Sequence, residues 1–316
     1  MAVETTTFSN NSADTWFRDI MFDCVLCPRA CHVNRLAGQT GYCGQTAELM
    51  AARASLHYWE EPCISGTSGS GTVFFSGCNL RCVFCQNHNI ALGKAGRVIA
   101  PEHLAEIFLQ LQEQEANNIN LVTPTHFLPQ IVIALEQAKQ QGLHLPIVYN
   151  TGSYESPEAL RHLEGLVDIY LPDLKYFSPE LSTAYSHAPD YFETACAAIS
   201  EMYRQVGDPV IDEDTGLMQH GMIVRHLLLP GQTKDSKKIL RYLHETYGDH
   251  IYISIMNQYT PLPQVADIEV LNRTVTPEEY DRVLRFAERI GIERGFRQEG
   301  TAASESFIPE FDERGL

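Results

Sequence analysis

The chain has 316 residues and a net charge of −17, from 23 Lys and Arg against 40 Asp and Glu. This acidic balance argues against a nucleic-acid backbone or an anionic membrane surface as the main partner. An apolar content of 44% with an average share of Gly and Pro excludes wholly disordered and low-complexity proteins. No apolar run approaches the length of a membrane span, and the N-terminus lacks the pattern of a secretory signal, so we expect a cytoplasmic protein.

The N-terminal part divides into two predicted segments. Residues 1–20 are rich in Ser, Thr and Asn without hydrophobic periodicity, and we expect a flexible arm. Residues 21–66 form a Cys-rich module with a weak helical pattern at residues 46–57. Four thiols of this module could bind a zinc ion or an iron–sulfur cluster: Cys24, Cys27, Cys31 and Cys43. The alternative is a set of free thiols in a flexible segment.

Beyond residue 71, short apolar runs alternate with stretches of helical period, which is typical of βα units around a parallel sheet. We predict six strands, at residues 72–76, 120–123, 146–149, 168–171, 222–229 and 251–256, and the clearest helices at 101–114, 129–140 and 277–290. Six units are too few for a closed eight-stranded barrel. We therefore predict an α/β fold with a partial (β/α)6 TIM-like barrel at residues 67–300, an insertion at 178–218, and a C-terminal tail at 301–316. A doubly wound open sheet is the alternative, but no GxGxxG motif follows any predicted strand.

Three thiols follow the first predicted strand within eight residues: Cys78, Cys82 and Cys85. A loop of this length can bring three sulfurs to one centre. Four thiolates would close a [4Fe–4S] cluster, whereas three leave one iron free for a substrate or cofactor. The alternative is a zinc or structural cluster site whose fourth ligand comes from Cys63, Cys196 or His88.

This loop resembles the radical S-adenosylmethionine (SAM) superfamily in its CxxxCxxC motif, which has an aromatic residue, Phe84, before the third cysteine. The wider stretch at residues 75–87, FSGCNLRCVFCQN, is similar to the pyruvate formate-lyase activating enzymes, and the N-terminal CxLCPRxC run is similar to that of an uncharacterised related branch. The resemblance implies a [4Fe–4S] cluster whose open iron binds SAM and cleaves it reductively to methionine and a 5′-deoxyadenosyl radical. A flavodoxin- or ferredoxin-type reductant would supply the electron.

The cofactor of a parallel barrel binds at the carboxyl ends of the strands, where polar residues follow the predicted strands. These residues are Thr123, Thr125, Asn150, Thr151, Asp173, Lys175, Arg225, His226, Asn257 and Gln258. Two segments, LPDLK at residues 171–175 and IVRHLLLPG at 223–231, resemble cofactor-facing elements of the activating enzymes. We expect cofactor binding by Asn150, Thr151, Asp173, Lys175 and Arg225.

Two elements depart from the activating-enzyme pattern, and each departure removes an acid. The segment TPTH at residues 123–126 replaces a Gly-Gly-Glu element, and Asn150 followed by Thr151 replaces Asp-Thr. The leading hypothesis is a radical SAM enzyme that abstracts hydrogen, with a glycine of a protein partner as the target. The alternative is an iron–sulfur electron-transfer or metal-sensing protein without radical chemistry, which would need neither Asp173 nor Lys175.

Overall fold

A computed structural model describes residues 12–298 and 309–316 of the chain. Within these residues lies one ten-stranded sheet. Its strands are β1 (Met50–His57), β2 (Ser70–Phe75), β3 (Arg97–Val98), β4 (Ile119–Val122), β5 (Ile147–Thr151), β6 (Ile169–Pro172), β7 (Val210–Ile211), β8 (Met218–Leu227), β9 (Tyr252–Met256) and β10 (Gly295–Arg297). The order across the sheet is β10-β9-β8-β6-β5-β4-β2-β1-β3, with β7 paired to β8.

All six predicted strands are present, as β2, β4, β5, β6, β8 and β9, and consecutive members pair in parallel. β10 extends this run in parallel beside β9. Every residue of β2, β5 and β6 is buried, which is why these strands read as continuous apolar runs and not as alternating ones. The sheet ends at β3 and β10 without closing, so the predicted open, partial barrel is confirmed.

Helices cover the sheet between the strands. Their bounds are α1 (Ser12–Phe22), α2 (Pro62–Ser65), α3 (His88–Ala91), α4 (Pro101–Glu113), α5 (Leu128–Gln140), α6 (Pro157–Leu160), α7 (Pro179–Ser186), α8 (Tyr191–Val206), α9 (Thr233–Tyr247) and α10 (Pro277–Ile290). The predicted helices correspond to α4, α5 and α10. A capping box begins α10, where the Thr276 hydroxyl accepts a hydrogen bond from the Glu279 N–H (3.2 Å). No helix in the described ranges is long and apolar enough to cross a membrane.

The N-terminal half differs from the sequence-based expectation in two places. Helix α1 begins within the segment predicted as a flexible arm (residues 1–20) and continues two residues past it, because Phe17 and Met21, four residues apart, bury one face against the core. Residues 1–11 lie outside the described residues. The weak helical pattern at residues 46–57 is instead strand β1, antiparallel to β2. Its alanines favour helix locally, but pairing with a fully buried strand overrides that preference.

The predicted insertion and tail both pack onto the sheet. Residues 178–218 form the connection between β6 and β8 and contain α7, α8 and β7. The tail is described from residue 309 onward, where the Arg314 carbonyl accepts a hydrogen bond from the Ala54 N–H (2.9 Å) of β1. Strand β1 therefore joins the N-terminal module, the sheet and the C-terminus.

Candidate active site

A cavity of about 250 Å³ lies at the carboxyl edge of the parallel strands. It is lined by the three thiols of the CxxxCxxC loop and by all five residues expected to bind a cofactor: Cys78, Cys82, Cys85, Asn150, Thr151, Asp173, Lys175, Arg225. The loop follows β2, Asn150 and Thr151 end β5, and Arg225 lies on β8. Parallel pairing brings these distant segments to one edge of the sheet.

The thiol loop has a special backbone at its start. Gly77 has φ 92°, and a Cβ there would lie 2.5 Å from Gln45 Cγ and 2.9 Å from the Cys43 carbonyl oxygen, so no other residue fits. Ser186 of α7 donates a hydrogen bond from its hydroxyl to Cys82 Sγ (3.0 Å). The loop is therefore held between the N-terminal module and α7.

The three thiols suit a metal cluster by their chemistry. Burial raises the pKa of Cys78 and raises that of Cys85 to about 12, and the neighbouring Cys82 adds to both shifts. Such thiols lose their protons when a metal ion binds them. Among the residues that the structure describes, no group of three or more His, Cys, Asp or Glu side chains is already arranged around a metal position.

A partly buried ionic network forms the charged wall of the cavity. Arg225 donates from Nε to Asp173 Oδ1 (3.0 Å), from Nη1 to Glu60 Oε2 (2.9 Å) and from Nη2 to Asn150 Oδ1 (2.5 Å). Lys175 Nζ donates to the other oxygen of Asp173 (2.5 Å). Two cations and two carboxylates therefore balance each other beside the thiols.

Both ends of the Asp173–Lys175 pair are charged at neutral pH. Burial opposes ionisation of Asp173, but Lys175 and Arg225 outweigh it and hold the pKa of this carboxyl below its usual range. Burial likewise opposes the charge of Lys175, yet Asp173 keeps the pKa of this amine above its usual range. The site thus presents a fixed pattern of charge to a ligand.

Glu60 is a site residue that the sequence did not reveal. It lies just after β1, accepts hydrogen bonds from Asn120 Nδ2 (3.0 Å) and Asn150 Nδ2 (3.3 Å), and pairs with Arg225. No motif surrounds it, and its partners are 60 to 165 residues away along the chain. If residues 50–57 had been recognised as a strand, Glu60 would have been expected near the site.

A second missed acid, Glu155, lies behind the cavity wall. Its Oε1 accepts hydrogen bonds from the Thr125 and Thr151 hydroxyls (both 2.5 Å) and from the Tyr149 hydroxyl (3.4 Å). Thr125 belongs to the segment that replaces the Gly-Gly-Glu element. The acid absent from that element is therefore present nearby, supplied by the loop after β5, and it positions Thr151 of the cavity.

We expect Glu155 to make folding stability pH-dependent. Burial raises the pKa of Glu155 from an ordinary 4.5 to about 7, so between these values the folded chain keeps a proton that the unfolded chain has released. This stabilisation is complete below pH 4.5 and is lost as the pH rises through 7, by about 3 kcal/mol. Glu155→Gln keeps the acceptor oxygen and should remove this loss, measured as urea midpoints from pH 5 to pH 8; an unchanged pH profile in the variant would contradict the assignment.

The N-terminal thiols converge on a smaller cavity of about 10 Å³. Cys24, Cys27, Cys31 and Cys43 all line it, together with Arg29, Arg35 and His126. The sequence predicted the four thiols as one group, but not the two arginines or the histidine.

The remaining sequence candidates separate into two sets. Thr123 and Gln258 line the larger cavity, whereas Thr125 and His226 are buried elsewhere and Asn257 is not part of the lining. The alternative fourth ligands Cys63, Cys196 and His88 are not among the residues described as lining this cavity either. The three-thiol pattern stays a prediction.

Comparisons with known proteins point to one enzyme superfamily. The Radical SAM superfamily model matches residues 72–243, more than half of the chain. An uncharacterised protein of Methanocaldococcus jannaschii, MJ0674, is 27% identical over 286 residues, covering 87% of this chain and 77% of the relative.

Two solved structures of low identity are also similar. SuiB of Streptococcus suis bound to the precursor peptide SuiA is 12% identical, with a TM-score of 0.47. The match covers 71% of this chain and 46% of SuiB. A domain of a pyruvate formate-lyase-activating enzyme from Bacteroides vulgatus is 14% identical with a TM-score of 0.41, over 58% of this chain and 100% of the domain. On the superfamily match, the chain belongs to the radical SAM superfamily of iron–sulfur enzymes.

Proposed function

We propose that Cys78, Cys82 and Cys85 bind a [4Fe–4S] cluster and that the chain uses it to cleave SAM reductively. The observation that carries this proposal is the shared cavity: the three thiols and the Asp173–Lys175–Arg225 network line the same 250 Å³ space. When bound, the cluster supplies one electron to the sulfonium, whose bond to C5′ breaks to give methionine and a 5′-deoxyadenosyl radical.

The residues of the cavity have separate roles in this proposal. Lys175 and Arg225 offer cationic donors to the carboxylate of the methionyl group, and Asn150 and Thr151 offer polar contacts at the end of β5. Phe84 packs edge-on against Tyr176, Tyr185 and Tyr259 with ring centroids 6.1 to 6.4 Å apart. Of these four rings, Phe84 and Tyr259 line the cavity and give it an apolar side.

The hydrogen donor in this proposal is a glycine of a protein partner, in a cytoplasmic setting with a flavodoxin- or ferredoxin-type reductant. The resemblance at residues 75–87 supports it. Trp59 lines the cavity and is 61% exposed, and the adjacent Tyr58 is 50% exposed; aromatic residues are enriched at protein interfaces. A test is to supply glycine-containing peptides deuterated at Cα and to measure deuterium in 5′-deoxyadenosine; transfer only from another labelled residue would contradict the glycine target.

The primary test is an electron paramagnetic resonance spectrum of the anaerobically reconstituted, dithionite-reduced chain with and without SAM. We expect a reduced [4Fe–4S] signal that shifts when SAM is added, together with 5′-deoxyadenosine in the product mixture. A cluster signal that does not change on addition of SAM, in the unmodified chain and in Lys175→Ala alike, would favour the alternative of electron transfer or metal sensing.

We also propose that Cys24, Cys27, Cys31 and Cys43 form a second metal centre, of zinc or iron and sulfur.

Ser186→Ala is expected to lower the midpoint potential of the cluster by about 40 mV. The variant removes a hydrogen bond to Cys82 Sγ (3.0 Å), which is worth about 1 kcal/mol and withdraws electron density from the thiolate. Potentiometric titration followed by electron paramagnetic resonance measures the shift. Thr183→Ala, an exposed change in the same helix, is the matched control and should leave the potential unchanged; an equal potential in both variants would contradict the role of Ser186.

A further inference from the structure

The second thiol cavity has a backbone shaped around its sulfurs. Ala30 (φ 38°) and His32 (φ 53°) place both neighbours of Cys31 in the left-handed region, which is costly for residues with side chains. At Gly41 a Cβ would lie 2.6 Å from Cys31 Sγ, and the Tyr42 N–H donates to that sulfur (3.3 Å). The chain is therefore folded closely around the Cys31 thiol.

A buried cation on the cavity wall points to negative charge inside it. Arg35 is 1% exposed, and its described hydrogen bonds all go to carbonyl oxygens, those of Thr46 (3.1 and 2.6 Å) and His126 (2.7 Å). A buried guanidinium normally has an anionic partner. The four thiols are the acidic groups of the cavity lining. They become negatively charged thiolates when they bind a metal ion.

A buried polar atom that has no partner among the described residues also lies on the same wall. His126 is 2% exposed, and its Nε2 lies 2.7 Å from the Ser76 carbonyl oxygen, so Nε2 carries the proton and Nδ1 carries a lone pair. Nδ1 is buried without a hydrogen-bond partner in the described part of the chain. A metal ion held by thiolates would give the cation Arg35 the negative charge that it lacks.

The size of the cavity distinguishes the two candidate centres. Its volume of about 10 Å³ is roughly that of one water-sized sphere, which suits a single ion better than a four-iron cluster. Four thiolates are a common closed ligand set for Zn²⁺, and the two negative charges that remain are balanced by Arg29 and Arg35 of the lining. We propose that Cys24, Cys27, Cys31 and Cys43 bind one structural Zn²⁺ ion beside Arg35 and His126.

This zinc site would brace the CxxxCxxC loop. Arg29, between two of the ligands, donates from Nε to the Asn79 carbonyl (2.8 Å) and from Nη2 to the Ser186 carbonyl (2.9 Å). The Cys43 carbonyl oxygen lies beside Gly77, where an added Cβ would be 2.9 Å from it. Support of the CxxxCxxC loop by this site matters for activity only if the proposed SAM cleavage holds. The binding of zinc to the four N-terminal thiols does not depend on SAM cleavage.

The test uses the full chain with Cys78, Cys82 and Cys85 each replaced by Ala, so that the proposed radical cluster cannot contribute. After anaerobic purification from medium containing iron and zinc, we expect about one zinc per chain without iron or acid-labile sulfide. When Cys43→Ser is introduced into this triple-Ala chain, the amount of zinc that stays bound in the presence of a chelator should fall by at least about tenfold. Adding Cys196→Ser, which lies outside the lining, is the matched control and should leave retention unchanged.

If the Cys43→Ser chain does not fold, the chain with only the three Ala substitutions decides after replacement of zinc by Co²⁺. A tetrahedral thiolate site gives intense d–d bands and thiolate-to-cobalt charge transfer. Iron with equal sulfide, absence of both metals, a weak octahedral cobalt spectrum, or zinc retention indifferent to Cys43→Ser would each overturn the proposal. None of these outcomes depends on SAM cleavage.

Discussion

Cys82→Ala is expected to reduce the formation of 5′-deoxyadenosine to the background of a protein-free mixture. Only three thiols face the larger cavity, so the variant has two ligands where the cluster needs three. Changes that merely reorient a metal ligand cost ten- to a hundredfold, and we expect loss of a ligand to exceed about a hundredfold. The measurement is 5′-deoxyadenosine by mass spectrometry after anaerobic incubation of the reduced protein with SAM.

The matched control for this variant is Cys196→Ser. Cys196 lies on α8 and is not part of the described lining of either cavity. The control should keep its iron content and its rate of SAM cleavage. Cleavage at the control's rate in Cys82→Ala would contradict the three-thiol site, whereas loss in both variants would show that the assay reports general damage.

Asp173→Asn is expected to lower the free energy of unfolding by about 3 kcal/mol. Asp173 pairs with both Lys175 and Arg225, whose side chains are 17% and 12% exposed. The substitution leaves Arg225 with its ion pair to Glu60 but removes the carboxylate that Lys175 pairs with. Lys175 then lies in a partly buried site without its partner, and the cost of its desolvation is no longer offset.

Urea denaturation of the chain as isolated measures this effect, with Asp267→Asn as the control. Asp267 is exposed, so its replacement should change the unfolding free energy by less than about 0.5 kcal/mol. The same Asp173 variant should bind SAM more weakly, because the orientation of Lys175 in the cavity is lost. Equal stability in the two variants would indicate that the ion pair is screened by solvent and does not organise the site.

Local sequence patterns sufficed for much of this protein. The CxxxCxxC loop identifies its own chemistry, since three closely spaced thiols can converge without help from distant segments. The six buried strands read as apolar runs, and the start of α10 carries its capping box in four residues. Even the four N-terminal thiols could be grouped, because short spacings with glycines restrict where their sulfurs can point.

Contacts between distant segments of the chain could be identified only from the tertiary structure. Glu60 completes the charged wall through partners up to 165 residues away, and Arg35 meets His126 across 91 residues. Strand β1 and helix α1 were missed because their residues have weak local preferences, and long-range packing decides their structure. Motifs reflect interactions within a few residues, whereas the balance of buried charge depends on which side chains the sheet brings together.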